Sequence, residues 1–415
     1  MGTATTSSEP ESPEPGTSEP VAAGPAGPPL LFRNGTVLTG FAAMENCDLL
    51  LEDGRVADVF GERRLAARAL SPEVRVRDVK GCFIAPGFTD THIHGIGGHG
   101  TEEGDPREIE AMSRALPRYG VTSFCPTLYP APRAELVERV RRAASALTPV
   151  DGARILGLHL EGPFISPERL GVQKPEAASP VDPDFLEELW EAAGGRILIM
   201  TVAPELKGMR ELALICAKKG IVLSAGHTNA TYENMVEGMQ AGILHATHLF
   251  NGMSQMHHRN PNAVGAVLIH PEISCEIVAD GRHVHPDLVR LVVRDKPLDR
   301  IVLVTDSLRP TKQGKGPLFA NNQEVELADG VFRRKSDGVI AGSCLTMIEG
   351  VRNLFSWGIP AADAVRMASG NPARVLRRDR LGALVPGYEG DVVVFDREFR
   401  IRAAAVRGRL VVDEL

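Results

Sequence analysis

The stretch Pro86-Gly87-Phe88-Thr89-Asp90-Thr91-His92-Ile93-His94-Gly95 is the one around which this chain is organised. Side chains alternate between the two faces of an extended strand, so His92 and His94 project from the same face. Pro86-Gly87 breaks whatever precedes the pair, and Gly95 lets the chain turn directly after it. Two imidazoles presented together at a strand end suit a divalent metal such as Zn²⁺, Fe²⁺ or Mn²⁺. Taken alone, the pair is equally well explained as two buried strand histidines that satisfy the backbone. The metal reading gains weight because further His, Glu and Asp residues end later apolar runs.

Those runs lie at 123–125, 155–160, 197–202, 221–224, 246–250, 275–279 and 301–305. Between several of them stand helical patterns, at 131–147, 184–193, 210–219, 232–241 and 285–294. Repeated alternation of strand and helix predicts a parallel sheet, and about eight units predict a closed (β/α)8 barrel of the TIM type. Chemistry in such barrels gathers at the C-terminal ends of the strands. The candidate ligands fall there. Glu161 follows the run ending at Leu160, His227 follows Ser224-Ala225-Gly226, and His248 sits within His245-Ala246-Thr247-His248-Leu249-Phe250. His283 comes after Asp280-Gly281-Arg282, and Asp306 after Val304-Thr305. Any one of them has a structural alternative, such as capping a turn or the next helix; the series at successive strand ends points to a metallohydrolase site.

The flanks read differently. Residues 29–84 hold short strands and tight turns, among them an Asp53-Gly54 hairpin signal, and residues 388–415 are again strand-like. Neither end makes a satisfactory sheet by itself, so both together are expected to form a small β-sandwich domain flanking a barrel at 85–387. The first 28 residues are rich in Pro, Ser, Thr, Glu, Gly and Ala and are expected to be disordered. They lack the basic start and apolar centre of a secretory signal.

Composition narrows the function classes. A chain of 415 residues with net charge −7 has no general attraction for nucleic acid or anionic lipid. No apolar run approaches the roughly 20 residues that a membrane helix needs. Six scattered cysteines, none in a Cys-x-x-Cys pair, suit a reducing compartment, so a cytoplasmic location is expected.

With these residues assembled, the chain resembles the amidohydrolase superfamily and, within it, the N-acetylglucosamine-6-phosphate deacetylases. The carrying motifs are Pro86 to Gly95, His159-Leu160-Glu161-Gly162-Pro163-Phe164, Gly226-His227-Thr228-Asn229-Ala230-Thr231 and Thr247-His248-Leu249-Phe250-Asn251-Gly252-Met253. They continue with His257-His258-Arg259, Ala279-Asp280-Gly281-Arg282-His283-Val284-His285, Val304-Thr305-Asp306 and Ala341-Gly342-Ser343. The resemblance spans nearly everything but the N-terminal tail.

It implies that Glu161, His227 and His248 bind a principal metal, and that His92 and His94 join Glu161 at a second position. One or two divalent ions per chain are therefore expected, with Zn, Fe, Mn and Co all compatible. It also implies that Asp306 is the general base that takes a proton from the attacking water and delivers one to the leaving amine. His283 would hydrogen-bond the substrate and help to polarise its carbonyl. Asn251, the backbone at Gly252 and Arg259 would hold a phosphate, with Arg259 reaching the neighbouring site of a homodimer.

The sequence departs from the family pattern in three places. Gln173 stands where relatives often have histidine, Ser307-Leu308-Arg309 is bulkier and more charged than usual, and Gly252 replaces a frequent alanine. Gln173 and Leu308 are accordingly candidate substrate contacts, and little change is expected from Gly252. The activity implied is hydrolysis of the acetamide of N-acetylglucosamine 6-phosphate. The alternatives are another N-acylated amino-sugar phosphate, such as the galactosamine epimer, and a non-catalytic scaffold of the same fold. A cyclic-amide hydrolase is disfavoured, because no lysine follows a strand run where such enzymes carry a carboxylated one.

Overall fold

The computed structural model describes residues 28–61, 71–146 and 152–415, so the stretch read as a disordered tail lies almost wholly outside the described residues. Eight parallel strands form the central unit: β1 Phe88–Ile93, β2 Val121–Leu128, β3 Leu158–Leu160, β4 Ile197–Val202, β5 Val222–Ala225, β6 His245–Ala246, β7 Ser274–Val278 and β8 Ile301–Val304. Each pairs in parallel with the next in order, from β1 against β2 to β7 against β8. The seam between β8 and β1 is held just beyond the ladder. The Asp306 N–H donates to the His92 carbonyl at 2.9 Å, and the Thr305 hydroxyl donates to Asp90 at 2.6 Å. The expected barrel is thus formed, and residues of the candidate site help to close it.

Helices follow the strands because their apolar faces need cover. Leu136 and Val140 of Arg133–Ser145, Leu186 and Leu189 of Pro183–Ala192, and Leu212 and Cys216 of Met209–Lys219 are buried in one cluster with strand residues such as Phe124, Met200 and Ile277. The helix starts are specified locally. Asp182 accepts from the backbone N–H of Asp184 and Phe185, and Thr231 and Asn234 form a reciprocal capping box, each worth about 1 kcal/mol.

The two chain ends form one sheet. Phe83–Pro86 pairs with Val392–Phe395 in antiparallel fashion, which joins Leu30–Leu38 and its neighbours to the C-terminal strands. Phe32, Leu49, Val394 and Ala403 share one buried cluster, so neither end has a core without the other. The Asp53-Gly54 turn is present, with φ of 50° and 73° between Ala43–Glu52 and Arg55–Gly61. The C-terminal run read as one strand from 401 to 412 is a hairpin, Ile401–Val406 and Arg409–Asp413, turned at Arg407-Gly408.

One unit has no counterpart in the sequence reading. After β8 the chain makes a four-stranded antiparallel sheet, Phe319–Ala320, Gln323–Ala328, Val331–Arg334 and Ile340–Ser343. Its inner face buries Ala320, Val325 and Phe332 against Tyr129 and Leu308. It therefore sits at the C-terminal mouth of the barrel, where β8 delivers Asp306. Among the described residues, no helix is long and apolar enough to cross a membrane.

Candidate metal centre

The barrel interior beneath the centre is polar. His159 is hydrogen-bonded on both sides, by Nδ1 to the Thr91 carbonyl and by Nε2 to the Thr201 hydroxyl, each at 2.9 Å. The hydroxyls of Thr201, Thr247 and Ser224 continue the chain of contacts at 2.9 and 2.6 Å. Burial, with the charge at His92, lowers the His159 pKa to about 3, so this ring is a neutral strut. That agrees with leaving it out of the ligand set.

Above this floor, Glu161, His227 and His248 form one group whose ligand atoms all lie within 4.8 Å of one another, and His92, His94 and Asp306 form a second. Glu161 joins the two. Its Oε1 is 3.0 Å from His227 Nε2, 3.1 Å from His248 Nε2 and 3.5 Å from His92 Nε2, while Oε2 is 3.4 Å from His94 Nε2. Asp306 Oδ1 is 3.7 and 3.6 Å from the Nε2 atoms of His92 and His94. All six residues are buried, Asp306 the least so at 8% exposure.

The proton positions decide what this arrangement can hold. Each of the four rings points Nδ1 at a group that can only accept: Glu276 for His92, and the carbonyls of Thr127, Arg169 and Asn251 for His94, His227 and His248. The ring proton is therefore on Nδ1 and the Nε2 lone pair faces inward. Yet the Nε2 atoms of His92 and His94 are 3.3 Å apart, and those of His227 and His248 are 3.2 Å apart. Lone pairs at such distances are favourable only with a shared cation between them. The donor set of imidazoles and carboxylates fits a divalent metal, and the two groups offer places for two such ions.

Without a metal, a proton can take the cation's place between these groups. Burial alone would raise the Glu161 carboxyl, but His227, His248 and His92 against its oxygens hold it well below the usual range. Burial would likewise lower His92 and His227; the carboxylates of Glu276 and Glu161 outweigh it and raise both. The proton that these shifts place on an inward Nε2, opposite Glu161, occupies the position that a metal's positive charge would take. Three of the site residues also adopt left-handed backbone, with φ of 46° at His227, 28° at His248 and 48° at Asp306. Strain of this kind persists where surrounding structure over-determines it, as at functional sites.

The remaining candidates are placed variously. The His283 side chain is buried, with Nδ1 at 2.6 Å from Asp280, whose hydrogen bond overcomes the lowering effect of burial and raises the imidazole pKa. Gln173 is buried and donates through Nε2 to Glu161 Oε2 at 2.6 Å, with Asn321 of the added sheet at 3.4 Å from its Oε1. It thus touches a ligand, where a substrate contact was expected. Leu308 is fully buried in the apolar cluster under the added sheet, and the Arg309 guanidinium turns away to the Gly98 carbonyl and Glu108, both at 2.8 Å. Asn251 lies next to His248 and donates to its carbonyl at 3.3 Å. Gly252 has φ of 58°, and a Cβ there would stand 3.2 Å from His227 Nδ1, so the residue is more constrained than the sequence suggests. Arg259 lies apart on an exposed loop, its Nε 3.0 Å from His258 Nε2.

Sequence reasoning missed Glu276, Asp280 and Tyr129. Glu276 is fully buried in β7, where a charged residue inside an apolar run was a readable signal. Tyr129 stacks on His94 with centroids 3.9 Å apart; an aromatic at the end of β2 carried no comparable mark.

Comparison with known proteins agrees with this geometry. Residues 83–411 match the amidohydrolase family. The chain is 32% identical to the N-acetylglucosamine-6-phosphate deacetylase of Bacillus subtilis, over 92% of this chain and 96% of that one. It is 30% identical to the N-acetylgalactosamine-6-phosphate deacetylase of Escherichia coli, over 92% and 98%. It superposes on a mutant N-acetyl-D-glucosamine-6-phosphate deacetylase of Mycobacterium smegmatis, solved in complex with N-acetyl-D-glucosamine-6-phosphate, with a TM-score of 0.86, 29% identity and coverage of 93% and 100%. With its barrel, its paired histidine groups and relatives of this kind along nearly its whole length, the chain belongs to the amidohydrolase family, among its amino-sugar-phosphate deacetylases.

Proposed function

We propose that this chain hydrolyses the acetamide of N-acetyl-D-glucosamine 6-phosphate to D-glucosamine 6-phosphate and acetate. The observation that carries the reading is the bridging of two histidine pairs by Glu161, with the Asp306 carboxylate 3.6 to 3.7 Å from one pair. A divalent ion bound by these residues would acidify water and polarise the amide carbonyl. The protein's own part is proton transfer and positioning. Asp306, rigid at the end of β8, takes a proton from the attacking water and returns one to the nitrogen, because an amine leaves poorly unless protonated. His283, whose pKa the Asp280 hydrogen bond raises, donates a hydrogen bond to the substrate in its protonated form. Asn251, the Gly252 backbone and Arg259 receive the phosphate, with Arg259 acting in the site of a second copy in a homodimer; the full exposure of its loop, residues 255–260, suits that role. Six free cysteines among the described residues fit work in the reducing cytoplasm.

A second reading, the galactosamine epimer as substrate, is favoured by the Escherichia coli relative. Leu308 and Arg309 face away, and Gln173 would bear on sugar choice only through its hold on Glu161. Acetate release from the two 6-phosphates and from unphosphorylated N-acetylglucosamine, by metal-reconstituted protein, tests both. Preference for the glucosamine compound is expected. Preference for the epimer moves the substrate, and no release from any of the three overturns the assignment.

A further inference from the structure

The buried carboxylate of Glu276 is a group that the proposed reaction leaves without a task. It lies on β7, which supplies none of the ligands, and is 0% exposed. Its Oε2 accepts from His92 Nδ1 at 2.9 Å and from the backbone N–H of His248 at 3.1 Å. Its own carbonyl accepts from the Leu249 N–H at 3.0 Å. His245 Nε2 approaches Oε1 at 3.5 Å without completing a hydrogen bond. One residue thus holds the ring of His92, a member of one ligand group, and the backbone of His248, a member of the other.

Two physical consequences follow. A carboxylate on the far nitrogen of a ligating imidazole fixes its tautomer and orientation and makes the near nitrogen a stronger donor. The positive φ of 28° at His248 is a costly conformation, and hydrogen bonds from the N–H groups of His248 and Leu249 to Glu276 hold that turn. Isolated carboxylates are not kept in a buried interior without compensation. Here the compensation is contact with both halves of the centre.

We propose that Glu276 is a positioning residue that sets the metal affinity of the His92 side of the centre and ties the two ligand groups together. The inference rests on the metal-centre reading and on no substrate.

The test is a Co²⁺ titration of the metal-stripped full chain, followed by bound-ion content and the visible absorption of the ion. Wild type, Glu276→Gln, Glu276→Ala and His92→Ala are compared. Glutamine can accept the same two N–H groups through its amide oxygen but carries no charge, so the fold is kept while the donor strength of His92 falls. Glu276→Gln is expected to weaken by about 10- to 100-fold the same binding step that His92→Ala removes. The Co²⁺ bands should shift, and the thermal midpoint of the metal-free protein should stay close to that of wild type. Unchanged affinity and spectrum in Glu276→Gln overturn the proposal, whether or not the alanine variant folds. A metal-free midpoint that falls steeply in Glu276→Gln also overturns it, since the role is then general stability. Wild type that binds no Co²⁺ would overturn this inference and the metal-centre reading together, whereas failure of the sugar assignment would leave it standing.

Discussion

Two regions of this molecule are rich in histidine, and they are built in opposite ways. In the barrel mouth His92, His94, His227 and His248 are buried, each ring locked by a hydrogen bond from Nδ1. On the loop after β6, residues 255–260 are all exposed, and His257, His258 and Arg259 contact mainly one another. The difference teaches where each part of the proposed chemistry resides. Bond cleavage needs groups held to fractions of an ångström before substrate arrives, which only packed strand ends supply. Capture of a doubly charged phosphate tolerates a mobile cation, provided something completes the site around it. An arginine on an open loop gains little alone, because exposed charge pairs contribute 0 to about 1 kcal/mol.

The sharpest way to break this contrast is Asp306→Asn. The amide keeps the shape of the strand end and loses the proton acceptor, so turnover should drop by about 10²- to 10⁴-fold with metal at the Glu161, His227 and His248 group retained. Metal content and kcat measured on one preparation check it; near-wild-type turnover would remove Asp306 from the reaction.

Arg259→Ala should act on recognition alone, raising KM for the phosphorylated sugar by about tenfold and leaving the unphosphorylated sugar unaffected, in keeping with one charged hydrogen bond. Mixing this variant with Asp306→Asn sharpens the point. If Arg259 serves a second copy, mixed dimers contain one complete site and activity returns. If it serves its own chain, the mixture keeps the raised KM of the Arg259→Ala partner.

The smallest expected effect is at Asp280. Its hydrogen bond keeps His283 protonated to higher pH than burial would otherwise permit. Removing it by Asp280→Asn lowers that pKa, so the alkaline limb of kcat/KM should move to lower pH while the acid limb stays in place. A profile that does not move would mean that His283 is not needed in its charged form.

How much of this was legible in the amino-acid sequence depends on the range over which each residue acts. The β4 run at 197–202 and the helix pattern at 232–241 coincide with Ile197–Val202 and, within a residue, Tyr232–Gln240, because local periodicity and capping specify them. The added sheet carries one local mark in the sequence, its Asp329-Gly330 turn, which with φ of 51° and 80° repeats the signature of Asp53-Gly54. Its strand Gln323–Ala328 alternates polar and apolar residues and buries little, so it makes no run to catch the eye.

Read alone, the chain determines that there is a barrel, which strand ends carry His, Glu and Asp, and that both termini must share one small β domain. Each of these follows from a pattern with a fixed period or a fixed turn. Tertiary structure alone decides that Gln173 grips Glu161, that Leu308 and Arg309 turn aside, and that Glu276 reaches across from a ligand-free strand to His92 and His248. These are contacts between residues tens to hundreds of positions apart. Folding of the loops and closure of the barrel bring them within reach, so no local pattern could record them.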